Sequence, residues 1–438
     1  MSAVTKPIIL DETGKQLAAG LDKIASAISK QSGGTIYGFI INGNESDPAA
    51  AVSYTDDAIG MTPAHMDFTG GSFDYGSWAD VFFMPRPCML KSDGTVDYYL
   101  KDSDYTKKAD GTASDVANAS YDGNAMMEWG RNGKKIWMKI APIGTGKSAK
   151  VQIADYQADE DFHDWSFHNC NGQSADHFYT PIYNGSFVSS TLRSLSGQAL
   201  MKTKSGTDEI TAAKANNTGA SELWNTECIA DRMLINMLLI LMGKSTNTQA
   251  VFGEGAHTGG SEAINDTFTT GIHNTKGLFF GTNSGSVAAN SFGNCVKVFG
   301  MENYWGLQWR RQRGYINANG VQKVKLTYGQ EDGSTVSGYN TDGSGYIPLG
   351  ITPTGTSGGY IDEMKFTEQG MFGKNSSGNA THDYCDGQWF NNGIVTFALC
   401  GGNSVDGAHV GAFCCTLDIA VSGAAWYFGA AASCKPLA

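Results

Sequence analysis

Apolar residues near the start of the chain recur at Leu10, Leu17, Leu21, Ile24 and Ile28, at spacings of seven, four, three and four. This seam predicts a helix over residues 10–30, capped by Asp11. Fewer than three heptads are available. The seam therefore suits an amphipathic helix lying on its own domain, a short oligomerising coiled coil or a docking helix equally well. Ser32-Gly33-Gly34 breaks the pattern. From Tyr37 the period shortens. Tyr37-Gly38-Phe39-Ile40-Ile41, Val81-Phe82-Phe83-Met84, Lys135-Ile136-Trp137-Met138-Lys139-Ile140 and Val151-Gln152-Ile153 read as strands. Residues 102–124 are polar and read as a surface loop. A second helix is expected over 220–243, started by Ser221 or Asn225 and ended by Gly243. It contains the longest apolar run, Met233 to Met242, which Asn236 interrupts. That run is too short to span a bilayer and predicts burial. Beyond residue 250, Gly-rich loops separate short strands, with no repeat of fixed period.

These elements predict an α+β chain in three parts: a helix over 1–31, a β-rich region over 32–155, and a larger domain over 156–438. Composition agrees with a loop-rich fold. There are 56 Gly among 438 residues, and only 17% are charged. The net charge of -12 argues against nucleic acid or an anionic membrane as partner. The one basic cluster is Trp309-Arg310-Arg311-Gln312-Arg313, which reads as local ion pairing. Cysteines stand at 88, 170, 228, 295, 385, 400, 414, 415 and 434, an odd number with no Cys-x-x-Cys pair. No basic start followed by an apolar run resembles a signal peptide. Reduced thiols made in a cytosol are the expectation.

Two segments imitate chemistry. Ala141-Pro142-Ile143-Gly144-Thr145-Gly146-Lys147-Ser148 resembles a phosphate loop. However, Ala141 stands where Gly is needed, and a strand follows where a helix should. His163, His168, Cys170 and His177 lie among Asp161, Asp164 and Asp176, but no spacing matches a zinc motif. No cofactor, metal or catalytic set is expected.

The carboxyl-terminal stretch is more informative. Phe413, Cys415 and Leu417 alternate with Cys414, Thr416 and Asp418. Ala424 and Trp426 alternate with Gly423, Ala425 and Tyr427. Two strands are expected, each with one face toward a core holding Phe413, Leu417 and Trp426. The other face has no common chemistry. From Asn403 to Phe428 there is no Lys, Glu, Gln or Met. Burial explains scarce charge, yet Asp406, His409 and Asp418 are present.

The pattern resembles the variable proteins of diversity-generating retroelements, a family that includes phage tropism determinants. The glycines Gly401-Gly402, Gly411 and Gly429 carry the resemblance over roughly 385–438. Upstream, Met301-Glu302-Asn303-Tyr304-Trp305-Gly306 and Gln308-Trp309 resemble the aromatic core of a C-type-lectin-like scaffold. The stretch from Asp176-His177-Phe178-Tyr179 to Gly197 resembles its formylglycine-generating-enzyme branch. In such proteins adenines of a template are replaced at random, so an Asn codon ending in cytosine never yields Lys, Glu, Gln, Met or Trp.

The resemblance implies a C-type-lectin-like fold of that branch and a binding protein rather than an enzyme. It implies a variable region over 403–428, with ligand-binding positions Val405, Asp406, His409, Cys414, Thr416, Asp418, Ile419, Gly423, Ala425 and Tyr427. It implies a phage-tail or prophage setting and a protein or glycan ligand on a target cell. A homo-oligomer, such as a trimer through the first helix, belongs to the same picture. Two alternatives stay open. One is an undiversified lectin-like structural or carbohydrate-binding protein. The other is a formylglycine-type oxidase drawing its cysteine pair from Cys295, Cys385 and Cys434.

Overall fold

The computed structural model describes residues 33–219, 222–259, 268–285, 294–352 and 358–437. The helix expected over 10–30 lies outside them. The molecule is mostly β-sheet with few helices, 34% strand against 10% helix, so sheets carry the architecture. Among the described residues no helix is long and apolar enough to cross a membrane.

Three sheets dominate. The first is antiparallel, in the order Val52–Asp56, Ile36–Ile41, Ser148–Ala154, Trp137–Ile143. The phosphate-loop look-alike is the hairpin between its last two strands, where Gly146 N–H donates to Ile143 O at 3.1 Å. The second sheet runs Trp224–Thr226, Ala432–Cys434, Phe178–Pro181, Gly123–Trp129, Arg86–Lys91, Val96–Lys101, Asp104–Lys108. Its middle strand, Gly123–Trp129, is buried at every residue, because both of its faces are covered. Strands from either side of residue 155 pair in this sheet. The largest core likewise joins Phe39, Trp78 and Val151 to Tyr304 and Phe413. The expected division at 155/156 therefore runs through one sheet and one core.

The third sheet has eight strands. Seven run in the order Ile347–Pro348, Val321–Val324, Trp309–Ala318, Val395–Cys400, Cys415–Leu417, Gly387–Phe390, Gly359–Tyr360, and Phe428–Gly429 pairs in parallel with Trp309–Ala318. One face packs on the Ile229–Gly243 helix, its Cys400, Cys415, Leu417, Phe390, Ala398 and Tyr315 sharing a cluster with Ile229 and Met233 of the helix and with Phe372.

Apart from Asp231, Arg232 and Asn236 that helix is apolar, and it is buried over all but its last residue, as its apolar run predicts. It begins at Ile229 rather than near 220. Trp224–Thr226 is instead an edge strand paired with Ala432–Cys434, and Asn225 faces Ser433 rather than capping. A helix not expected from the pattern spans Gly206–Lys214. Its Ser205 hydroxyl accepts from Asp208 N–H, and the Asp208 carboxylate accepts from Ser205 N–H, closing a capping box. Val81–Met84, expected as a strand, makes a turn before Pro85, and pairing passes to Arg86–Lys91. The polar 102–124 stretch is not all loop: Asp104–Lys108 adds an edge strand to Val96–Lys101.

Candidate ligand-binding surface

The outer face of the third sheet is built from cross-strand neighbours. Leu399, Thr416 and Trp389 stand side by side on three adjacent strands, and Arg311 faces Leu399 on a fourth. Residues opposite one another in a sheet share a face. Cys414 joins Trp309, Leu399 and Phe428 in one apolar cluster, against which Trp389, Ile419, Ala425 and Tyr427 pack half-buried. The Trp309 and Trp389 rings meet edge-on at 5.8 Å. The His409 ring stacks on Tyr360 at 4.0 Å and tilts against Trp389 at 5.3 Å. Tyr427 stands edge-on to Phe428 at 4.6 Å. Thr416 donates its hydroxyl to the Asp418 carboxylate.

The alternation expected for the first strand is present. Cys415 and Leu417 point into the helix-side core, while Cys414 and Thr416 point to the outer face. Cys414 and Thr416 do not reach solvent, however. They are 0% and 5% exposed, because the neighbouring rings roof them over. Their expected role as ligand contacts is corrected to support beneath the surface.

The second expected strand does not form. Residues 418–427 make a loop with turns at 421–422 and 426–427, and only Phe428–Gly429 pairs. Ala424, expected inward, is exposed. The expected single core of Phe413, Leu417 and Trp426 is three separate clusters, with Trp426 packed half-buried against Leu200, Ala256 and Leu307. Trp426 and Tyr427 join different clusters, although their rings meet edge-on at 4.9 Å.

The 418–427 loop is held by its main chain. The carbonyls of Ile419, Val421, Ala425 and Tyr427 accept from the N–H groups of Phe397, Gly206, Thr203 and Trp309, at 2.9, 2.7, 2.9 and 2.9 Å. The Gly423 carbonyl accepts from Arg311 Nη2 at 3.0 Å. The 403–410 loop is held differently. The Asp406 carboxylate accepts from Asn403 N–H at 2.7 Å, and Asn403 Oδ1 accepts from Val405 N–H at 2.7 Å. Burial pushes Asp406 up to about 6; donors from Asn403 and Trp309 pull against this, and the Asp418 charge adds to it. Val405 is the most open of the expected positions at 48% exposed.

Two of the glycines have structural reasons. Gly402 sits at φ +76, and a Cβ there would meet Val410 Cγ1 at 2.6 Å. A Cβ on Gly411 would lie 1.9 Å from Asp386 Oδ1. Asp386 is fully buried, accepts from Phe413 N–H at 2.8 Å, and is pushed up to about 8 by its burial. From the helix side, Arg232 Nη2 and Asn236 Nδ2 donate to Ala412 O at 3.1 and 2.9 Å. The backbone that carries Gly411 to Phe413 into the outer face is thus clamped from beneath.

Of the ten expected positions, Val405 is exposed and Asp406, His409, Asp418, Ile419, Gly423, Ala425 and Tyr427 are half-buried. Tyr360 and Trp389 were missed, since they lie outside the unusual stretch. The alternation of Gly387, Gln388, Trp389 and Phe390 was the available signal.

The other motifs resolve into local contacts. His168 Nε2 meets Asp164 at 3.1 Å, His163 stacks on Trp165 at 4.4 Å, and His177 meets Trp129 O at 3.3 Å. Among the described residues no three His, Cys, Asp or Glu side chains gather as metal ligands. Cys295 and Cys434 lie in different cores, and burial holds both thiols well above their usual range; burial pushes Cys385 up to about 12. These are the environments of inert thiols. No family model matches the chain, and no curated protein matches it.

Proposed function

We propose that this chain is a ligand-binding protein of C-type-lectin-like fold whose carboxyl-terminal surface is diversified by a retroelement, and that it serves as a phage or prophage tail-associated receptor-binding protein. The supporting observation is the way residues 418–427 are held. Five alternate carbonyls, from Ile419 to Tyr427, anchor the loop, and main-chain bonds survive replacement of the side chains that carry them. Of these, Ile419, Ala425 and Tyr427 pack with Trp309 and Trp389 on one surface, opposite the face that packs on the helix, while Val421 packs against Ile316, Tyr346 and Phe397. Fixed scaffold and replaceable contacts are separated residue by residue. Binding on such a surface rests on a few anchors, with Tyr427 and the His409–Tyr360 stack as the largest. The ligand is a protein or glycan on a target cell, and oligomerisation would add avidity to a modest single-site affinity.

The decisive test is the DNA beside the gene. The reading requires a near-copy of the codons for 403–428, differing where the copy has adenine, next to a reverse transcriptase gene. Differences at other bases, or no copy at all, would remove it.

A further inference from the structure

Three arginines crowd the strand Trp309–Ala318, and two have partners. Arg310 Nη2 meets Glu227 Oε1 at 2.6 Å, and Arg311 Nε meets Glu209 Oε2 at 2.5 Å. Arg313 differs. Pairing with Val395–Cys400 slips between Arg311 and Ile316, Gly314 turns to φ +84, and Arg313 N–H bonds Glu227 O at 3.0 Å instead. The bulge turns the Arg313 side chain into a cavity of about 110 Å³ shared with Lys214, Glu222, Tyr328, Asn340 and Phe397. Arg313 is only 6% exposed, yet among the described residues no carboxylate pairs with it and no group accepts from its guanidinium. Its one side-chain partner is the Tyr339 ring, 4.6 Å away. The nearby Glu222 is already engaged by Lys214 Nζ at 2.8 Å. A buried, always-charged fork with its donors open is costly unless an anion meets it.

We propose that this cavity binds a small monocarboxylate. Arg313 and Lys214 contribute two positive charges and Glu222 one negative, which leaves one positive charge and so matches a monoanion better than a phosphate dianion. The planar guanidinium fits a carboxylate with two parallel hydrogen bonds. Ile210, Tyr339 and Phe397 supply apolar wall for a short tail. A bound water needs roughly 10–15 Å³ of such space, so the cavity takes several heavy atoms. The site borders the 419–427 loop through Phe397, whose N–H bonds Ile419 O at 2.9 Å, but the proposal does not depend on the reading of the outer-face surface.

The test is calorimetric titration of the full chain with sodium propionate, with sodium chloride and inorganic phosphate at matched ionic strength. Saturable one-to-one binding of propionate is expected, with phosphate weaker and chloride unable to compete. Arg313→Gln should weaken propionate binding roughly ten- to a hundredfold. Thr341→Trp, at an exposed loop position on the cavity rim, should block entry without touching the arginine, and serves if Arg313→Gln does not fold. No propionate binding, unchanged affinity in either folded variant, tighter binding of phosphate, or equal displacement by chloride would overturn the proposal.

Discussion

Leu417→Ala and Asp418→Ala change neighbouring residues, the last of the strand Cys415–Leu417 and the first of the loop that follows it, and the fold predicts very different costs. Leu417 has no exposed surface and sits between Phe390, Ala398 and the helix-side core. Truncation removes three carbons, worth about 0.8 kcal/mol each, or about 2.4 kcal/mol of transfer free energy. The strand cannot close the gap, because the Leu417 carbonyl is held by Thr396 Oγ1 at 2.8 Å and Asn391 N–H at 3.0 Å. The cavity term then brings the total to ~3–4 kcal/mol. Asp418 is half-buried, and its one hydrogen bond is to the Thr416 hydroxyl, so its truncation should cost within ~0.5–1 kcal/mol. Urea unfolding followed by tryptophan fluorescence measures both, read as midpoint shifts at unchanged slope. If Asp418→Ala costs as much as Leu417→Ala, or Leu417→Ala costs under ~1 kcal/mol, the two-faced reading of this strand is wrong.

Gly411→Ala forces a methyl to within 1.9 Å of a buried, hydrogen-bonded carboxylate oxygen, and should cost ~2 kcal/mol or more by the same unfolding assay. Arg311→Met alone should cost ~3–5 kcal/mol because it strands Glu209, whereas Arg311→Met with Glu209→Met should recover most of that loss; equal costs for single and double variants would contradict it. Asp406 carries a folded pKa of about 6 against a reference of 3.8. A raised acid favours its protonated form, so its stabilising contribution is full below pH about 4 and disappears as pH rises through about 6. Asp418→Asn removes the charge that helps raise it, and a carboxyl NMR titration should then show Asp406 titrating lower; an unchanged value would separate the two residues. In a saturation library sorted for folded protein, Ile419 and Tyr427 should accept most residue types, while position 406 should retain hydrogen-bond acceptors; equal tolerance at all three would refute the anchoring argument.

What the sequence reveals depends on how local its cause is. The Ile229–Gly243 helix is legible because its apolar run is long and its burial follows from composition. Its start is not legible, because Trp224–Thr226 is claimed by a strand more than two hundred residues away. The alternation of Cys414 to Asp418 is legible, since period two is local. The loop at 418–427 is not, because main-chain bonds to Thr203, Gly206, Trp309 and Phe397 replace the ladder that alternation suggests. Cys414 and Thr416 point outward as expected, yet lie buried, because the rings that cover them come from other parts of the chain. The pairing of Gly123–Trp129 with Phe178–Pro181 across the expected 155/156 break is not legible for the same reason, since the partner strand lies about fifty residues further along the chain.

The two halves of the candidate surface keep their stabilising interactions in different atoms, and this decides where variation is harmless. In 419–427 the stabilising groups are carbonyls, which every residue supplies. In 403–406 they are side-chain oxygens of Asn403 and Asp406, which few residues can replace. A replacement at Asp406 would free Asn403 N–H in a loop where Asn403 and Ser404 are themselves buried, leaving a donor without its acceptor. A surface that changes often while the fold stays put should therefore concentrate its changes in 419–427. Beneath that segment, Cys414 and Thr416 sit in the shelter of Trp309 and Trp389, rings supplied by strands outside the changing stretch. On the proposed reading, the Trp309 and Trp389 rings set the floor height, and the side chains of 419–427 above them would set the shape that a ligand meets.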